Sequence, residues 1–210
     1  MLAADPPSAG KRRWTFAEYG MSSSREALIR HATRERWNML FSGAAESGKN
    51  GFLNACLALV PATERLLVVE EARDVEYRGT EVRRVTVGLP GADGRRVDYP
   101  AAIGLARRTK PDRVIFGELG YDSCATVVRI LTSGQQGVWA TIEASGPAFA
   151  LDAIARTAAD SHHDARDLHD AVSAAVDLVV ELNRVSGTEP WVSDLRRLTA
   201  RAAQFELAGA

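Results

Sequence analysis

Gly43-Ala44-Ala45-Glu46-Ser47-Gly48-Lys49-Asn50 is the stretch on which the reading of this chain turns. Its G-x-x-x-x-G-K spacing is that of a phosphate-binding loop. In such a loop backbone N–H groups surround a phosphate chain, and one lysine, here Lys49, reaches its outer end. Asn50 stands where the pattern carries Ser or Thr, whose hydroxyl ligates Mg²⁺. The loop therefore reads as a nucleotide site altered at its metal position.

The flanks supply the setting the motif requires. Trp37-Asn38-Met39-Leu40-Phe41 is a short apolar run of strand type, and residues from Gly51 to Val60 are helical in pattern, ending before Pro61. Strand, glycine loop and helix in that order add the positive end of the helix dipole to the loop amides. Gly43, Ala44, Ala45, Glu46, Ser47, Gly48, Lys49, Asn50 and Gly51 are accordingly the candidate nucleotide-binding residues.

A length of 210 residues suits one α/β domain with a substantial core, and 46% hydrophobic with 25% charged residues is the composition of a globular protein. The net charge of -1 gives no general argument for nucleic-acid binding. Cys56 and Cys124 are spaced for neither a metal knuckle nor a disulfide framework, which makes a reducing cytoplasm the default, with Cys56 a small core residue. No apolar stretch reaches bilayer length, and the first residues lack the apolar core of a signal peptide.

Residues 1–22 read as a tail or linker, with Lys11-Arg12-Arg13 a solvated basic triplet, and residues 23–205 as the folded domain. Ser23-Ser24-Arg25-Glu26 predicts a capping-box start to a helix reaching about Arg36. Strands are expected over Arg65–Glu71 and Val82–Val87, the latter closed by a turn-rich segment from Gly88 to Gly94. A helix over Tyr99–Arg108 then leads to a strand at Arg113–Phe116 and on to Gly117-Glu118. A helix near Asp122–Leu131 and a strand at Val138–Ile142 follow. Helices at Pro147–Ala159 and Ala165–Ala175, a strand at Val176–Leu182 and a last strand or hairpin partner near Trp191–Leu198 complete the series. This alternation predicts a mostly parallel sheet with helices on both faces.

A phosphate loop that does chemistry needs acidic partners. Glu118 ends an apolar strand, which puts a carboxylate at the sheet edge where α/β folds bind ligands. From there it can hold Mg²⁺ or orient an attacking water. Glu70 and Glu71 end the preceding apolar strand in the same way. Asn50 and Glu118 are the candidate metal ligands; Glu70, Glu71 and Glu118 are the candidate catalytic acids.

Four segments in order resemble the signature blocks of the type II/type IV secretion ATPases, the motors of secretion, conjugation and pilus machines. They are Asn38–Pro61 around the Walker A loop, Arg65–Glu71 like the aspartate box, Lys110–Gly120 like Walker B, and Ser133–Ser145 like the histidine box. The match covers roughly residues 12–200. The resemblance implies a RecA-like P-loop core with ATP and Mg²⁺ as cofactors. It also implies a homo- or hetero-oligomeric hexameric ring and work with platform proteins at the cytoplasmic, inner face of the membrane. Lys49 would contact the outer phosphates, Glu118 would be the Walker B acid and Glu70 the glutamate that activates water. The family's N-terminal domain is not expected within the roughly forty residues ahead of the loop.

Departures from the family pattern fall on the chemistry. Asn50 replaces the metal-ligating hydroxyl. Glu46 replaces a glycine and brings a carboxylate near a polyanion. Gln135 and Glu143 replace histidines, expected to have served as donors near the outer phosphate. Gly120 replaces an arginine after the Walker B acid, and Glu71 replaces an aspartate. The reading that follows is a secretion-ATPase homologue that binds ATP and is impaired in hydrolysis. An active motor, a non-catalytic ring or scaffold subunit, and a nucleotide sensor stay open beside it, with small-molecule phosphotransfer behind them.

Three other features draw plainer readings. His162-His163-Asp164 with Asp167, His169 and Asp170 reads as polar helix and loop rather than a metal site. Trp139 reads as core rather than an adenine platform. Arg107, Arg108, Lys110, Asp112 and Arg113 read as a charged, solvated surface.

Overall fold

The computed structural model describes residues 15–77, 79–88, 98–160 and 163–199. In chain order, a 3-10 turn at Phe16–Tyr19 precedes α1 (Ser23–Arg34), β1 (Met39–Gly43), α2 (Lys49–Leu57), β2 (Leu66–Glu70) and β3 (Val82–Thr86). These are followed by α3 (Tyr99–Thr109), β4 (Arg113–Leu119), α4 (Tyr121–Thr132), β5 (Val138–Glu143), α5 (Pro147–Ala158), α6 (Ala165–Ala175), β6 (Leu178–Asn183) and β7 (Trp191–Arg197). The strands form one sheet in the order β3-β2-β4-β5-β1-β6-β7. All neighbours are parallel except β6 and β7, which pair antiparallel as a hairpin. The predicted α/β class, element series and hairpin partner are therefore what the chain forms.

Burial on both faces explains why the central strands read as unbroken apolar runs instead of alternating ones. Met39, Phe41, Val68, Ile115, Trp139 and Val180 point to the side covered by α1 and α2, where Ile29, Phe52 and Leu53 meet them. Leu40, Val69, Phe116, Ala140, Ile142 and Val179 point to the other side, against Val127, Leu131 and Ile154. Each strand thus sends alternate residues to opposite layers. Trp139 is fully buried, as expected of core. So are both cysteines, whose thiols burial pushes up, Cys124 to about 11.

Two boundaries shift. Composition assigns residues 15–22 to the tail, yet Phe16 and Tyr19 are buried and stack on Phe52, at centroid distances of 5.5 and 4.9 Å. Two aromatic side chains within reach of an apolar helix face outweigh the tail-like composition around them. The cap of α1 is Ser22, one residue earlier than expected, its hydroxyl accepting from Arg25 N at 3.3 Å. The turn-rich segment from Gly88 lies outside the described residues after Gly88 itself.

Candidate nucleotide-binding site

β1 sits between β5 and β6 and delivers the chain, at its C-terminal edge, to the loop that opens α2. Gly43 takes φ 154°, and a Cβ there would collide with Leu182 O and Ser47 Oγ. Gly48 takes φ 91° and caps α2, and a Cβ there would come within 2.9 Å of Pro190. The spacing of the motif is therefore imposed by two positions that accept no side chain. Phe52 N makes a bond to Gly48 O at 2.9 Å, so the amides of the preceding first turn, Lys49 to Gly51, lack helical partners. Ser47 Oγ is packed against Gly43, buried and with no hydrogen-bond partner among the described residues. Free amides and a helix dipole fit a phosphate group.

Lys49 is buried and its ammonium donates to Gly43 O (3.0 Å) and Ala44 O (2.8 Å), with Glu118 Oε1 at 3.9 Å. Burial lowers its pKa, and the charges of Glu118 and Glu143 act in the opposite direction. Behind the loop, Tyr19 OH donates to Gly48 O at 3.1 Å while Pro190 abuts Gly48. The turn before α1 and the β6–β7 hairpin thereby form a wall against which the loop rests. Glu46 is exposed and adopts a left-handed φ of 58°. A side chain thus occupies the backbone conformation that suits the customary glycine.

The acidic residues divide. A register shift between Phe116 and Leu119 in the β4–β5 pairing puts a bulge at Glu118, which is exposed and faces Lys49. Glu143 pairs in register with Gly43. It lies two residues after Thr141 and so on the same face of β5, the one that carries α2. Glu70 is buried one strand farther out. Its carboxylate accepts from Arg84 Nη1 at 2.6 Å and from the amides of Asp74 and Val75 at 3.2 and 3.0 Å. Arg84 also donates to Val75 O, closing a small lock between β2, β3 and the loop after β2. Glu71 is exposed and accepts from Tyr99 OH at 3.0 Å. The structure brings Lys49, Glu118 and Glu143 together, and ties Glu70 and Glu71 to partners of their own.

Asn50 turns toward β5. Thr141 Oγ1 lies 2.5 Å from Gly117 O and 3.2 Å from Asn50 Oδ1. The threonine proton is shared between these two acceptors, the carbonyl being the nearer. The side chain that replaces the metal-ligating hydroxyl is thus fastened to a neighbouring strand. Among the described residues no three His, Cys, Asp or Glu converge on a metal position. The free amides at the α2 N-terminus fit a phosphate.

Some sequence expectations need correcting. Gln135 was expected near the outer phosphate. Instead its amide donates to Pro111 O at 3.3 Å, ahead of β4 and β5, at the edge opposite the phosphate loop. Its replacement of a histidine cannot act on a bound phosphate. Arg113 is not surface: it is fully buried, bonded to Glu64 Oε2 at 2.6 Å and to Thr33 O, and stacked over Trp139 at 5.0 Å. Of the histidine-rich stretch, His163 pairs with Asp160 at 3.0 Å and His162 lies outside the described residues. Sequence reasoning missed Tyr19, Arg84 and Thr141. Only Arg84, a charge inside a β run, left a trace in the pattern.

A mostly parallel sheet of this topology, with a phosphate loop at the C-terminal end of the interior strand β1, defines a RecA-like P-loop protein. The family profile described as Type II/IV secretion system protein matches residues 9–189, and the chain belongs to that family. It is 26% identical over 167 residues to a probable conjugal transfer protein TrbB of Sinorhizobium fredii, covering 78% of this chain and 49% of that protein. To the protein VirB11 of Rhizobium radiobacter it is 24% identical over 159 residues, covering 74% and 46%. The chain spans about half the length of these relatives. Among solved structures, the VirB11 ATPase of the Brucella suis type IV secretion system, crystallised with sulphate, superposes with a TM-score of 0.67 at 18% identity, over 82% of this chain and 51% of that one. The pilus retraction motor PilT with bound ADP gives 0.69 at 14% identity, over 93% and 57%. At such identities the likeness concerns the fold.

Proposed function

We propose that this chain is a nucleotide-binding member of a type II/IV secretion, conjugation or pilus machine that binds ATP in its phosphate loop and is impaired in hydrolysing it. One observation carries the reading. The binding half of the loop is kept, with Lys49 and the free amides of the α2 N-terminus in place. The reacting half is altered, with Asn50 bound to Thr141 and Glu143 beside Lys49. A preorganised donor aimed at developing charge is worth about 10²–10³ in rate, and a carboxylate in its place opposes that charge. Glu70, the expected water-activating acid, spends its carboxylate on Arg84 and two loop amides. By family likeness the working form is a ring, homo- or hetero-oligomeric, beside membrane platform proteins at the cytoplasmic face. No described helix is long and apolar enough to cross a membrane.

A second reading, a scaffold subunit that binds no nucleotide, has its own observation: the Lys49 ammonium already has Gly43 O, Ala44 O and Glu118 as partners. Calorimetric titration with ATP, with and without Mg²⁺, separates the two readings. Binding that disappears in Lys49→Ala supports the proposal, and no binding under either condition favours the scaffold. Steady Mg²⁺-dependent turnover at the rate of an ordinary motor, abolished in Lys49→Ala, points to an active ATPase and overturns the impairment.

A further inference from the structure

We infer that the phosphate loop is selective for a nucleoside diphosphate over a triphosphate. The inference rests on the nucleotide-binding reading above. A P-loop cradles the inner phosphates with backbone amides and leaves the outermost one to the lysine and to whatever lies beyond it. Here the free amides of the α2 N-terminus supply that cradle. Past Lys49 the surroundings change sign. Glu118 Oε1 stands 3.9 Å from its ammonium. Glu143, opposite Gly43 in the β1–β5 register, presents a second carboxylate from the α2 face of β5. The field on Lys49 comes from these same two groups, so one positive charge meets two negative ones where a third phosphate would enter. Glu46, at the exposed rim of the loop, adds a further negative charge.

A terminal phosphate brings additional negative charge at neutral pH. Metal ions ordinarily relieve such crowding by bridging the outer oxygens. Asn50, whose position would supply the protein's hydroxyl to that ion, is turned to Thr141 instead. The diphosphate is held by the loop amides and reaches Lys49 with one phosphate fewer to set against the carboxylates of Glu118 and Glu143. The triphosphate must set its third against them.

The test is calorimetric titration of the full chain with ADP and with AMP-PNP, a triphosphate analogue that resists hydrolysis, each in EDTA and in Mg²⁺. The same titrations are repeated on Glu143→Gln and Glu118→Gln. ADP is expected to bind at least about tenfold tighter than AMP-PNP in EDTA and to remain the tighter ligand in Mg²⁺. The ratio is expected to fall toward one in Glu143→Gln, because AMP-PNP gains while ADP changes little. AMP-PNP binding as tightly as ADP to the unmodified chain in either condition overturns the selectivity and leaves the nucleotide-binding reading standing. A ratio unmoved by both substitutions overturns it too, by removing its cause. Failure of both nucleotides to bind overturns the nucleotide-binding reading and this inference with it.

Discussion

Glu46 shows how a single residue can keep a backbone shape while changing what that shape costs. Its left-handed φ of 58° is one that glycine adopts freely and an L side chain adopts at about 1–2 kcal/mol. Part of that is returned because glycine leaves the unfolded chain more freedom. Glu46→Gly is therefore expected to stabilise the fold modestly, by about 0.5–1 kcal/mol in urea denaturation, and to tighten nucleotide binding by removing a rim carboxylate. Tyr19 works in the opposite sense: an aromatic in a segment of linker composition whose hydroxyl holds the loop from behind through Gly48 O. Tyr19→Phe keeps the ring packed on Phe52 and is expected to cost about 1 kcal/mol, the net worth of one hydrogen bond. Asp112 is held below the usual carboxylate range by its hydrogen bonds from the Arg65 side chain and backbone and by the nearby Arg36. A depressed carboxylate contributes stability above its unfolded value near 3.8 and loses it as pH falls through the lower folded value. Asp112→Asn is expected to destabilise by about 1 kcal/mol at pH 7, solvent screening included, and by much less near pH 2. Urea melts at the two pH values measure the difference.

Among the elements, the lock on the end of β2 is what isolated strand readings cannot reveal. Leu66–Glu70 predicts a buried strand with a carboxylate at its tip, and the tip is where an ATPase places an acid. Whether that acid is free depends on β3, which pairs with β2 in parallel and presents Arg84 to it. Removing one partner of a buried ion pair leaves the other charge uncompensated, at a cost of about 3–5 kcal/mol. Arg84 is partly exposed, so Arg84→Leu is expected at the low end, about 3 kcal/mol, measured by chemical denaturation. The double variant with Glu70→Gln should recover most of the loss, because no unpaired charge is left behind. Additive losses in that double-mutant cycle would show that the pair is not coupled.

At the scale of the molecule, two layers of helices on one mostly parallel sheet leave both thiols buried. The unreactive protonated form is favoured at Cys56 and Cys124 alike. Labelling by a thiol reagent at pH 8 is expected to be negligible in the native protein. It should proceed at a rate that follows global unfolding as urea is added, because both cysteines belong to the packed core clusters. Fast labelling of either one in native buffer would reveal a local opening of its helix, α2 for Cys56 or α4 for Cys124.

The architecture was legible in the sequence because its signals are local. Apolar runs, glycines at a fixed spacing and alternating periods determine which segments are strands, loops and helices. The parallel sheet, the loop at the end of β1, the position of Lys49 and the hairpin partner all follow from such signals. What tertiary structure alone decided is where each side chain spends its hydrogen bonds and charge. Arg113 reads as surface in a run of charges and is core, because Glu64 and Thr33, distant in sequence, are its partners. Gln135 reads as a site residue by its motif and lies at the wrong end of its strand. Glu70, Asn50 and Glu143 read alike as residues of the nucleotide site, yet Arg84 engages the first, Thr141 fastens the second, and the register with Gly43 sets the third beside Lys49. A residue's type and its place along the strand are written in one dimension. Its partner is chosen by strand order and register, which bring together positions dozens of residues apart.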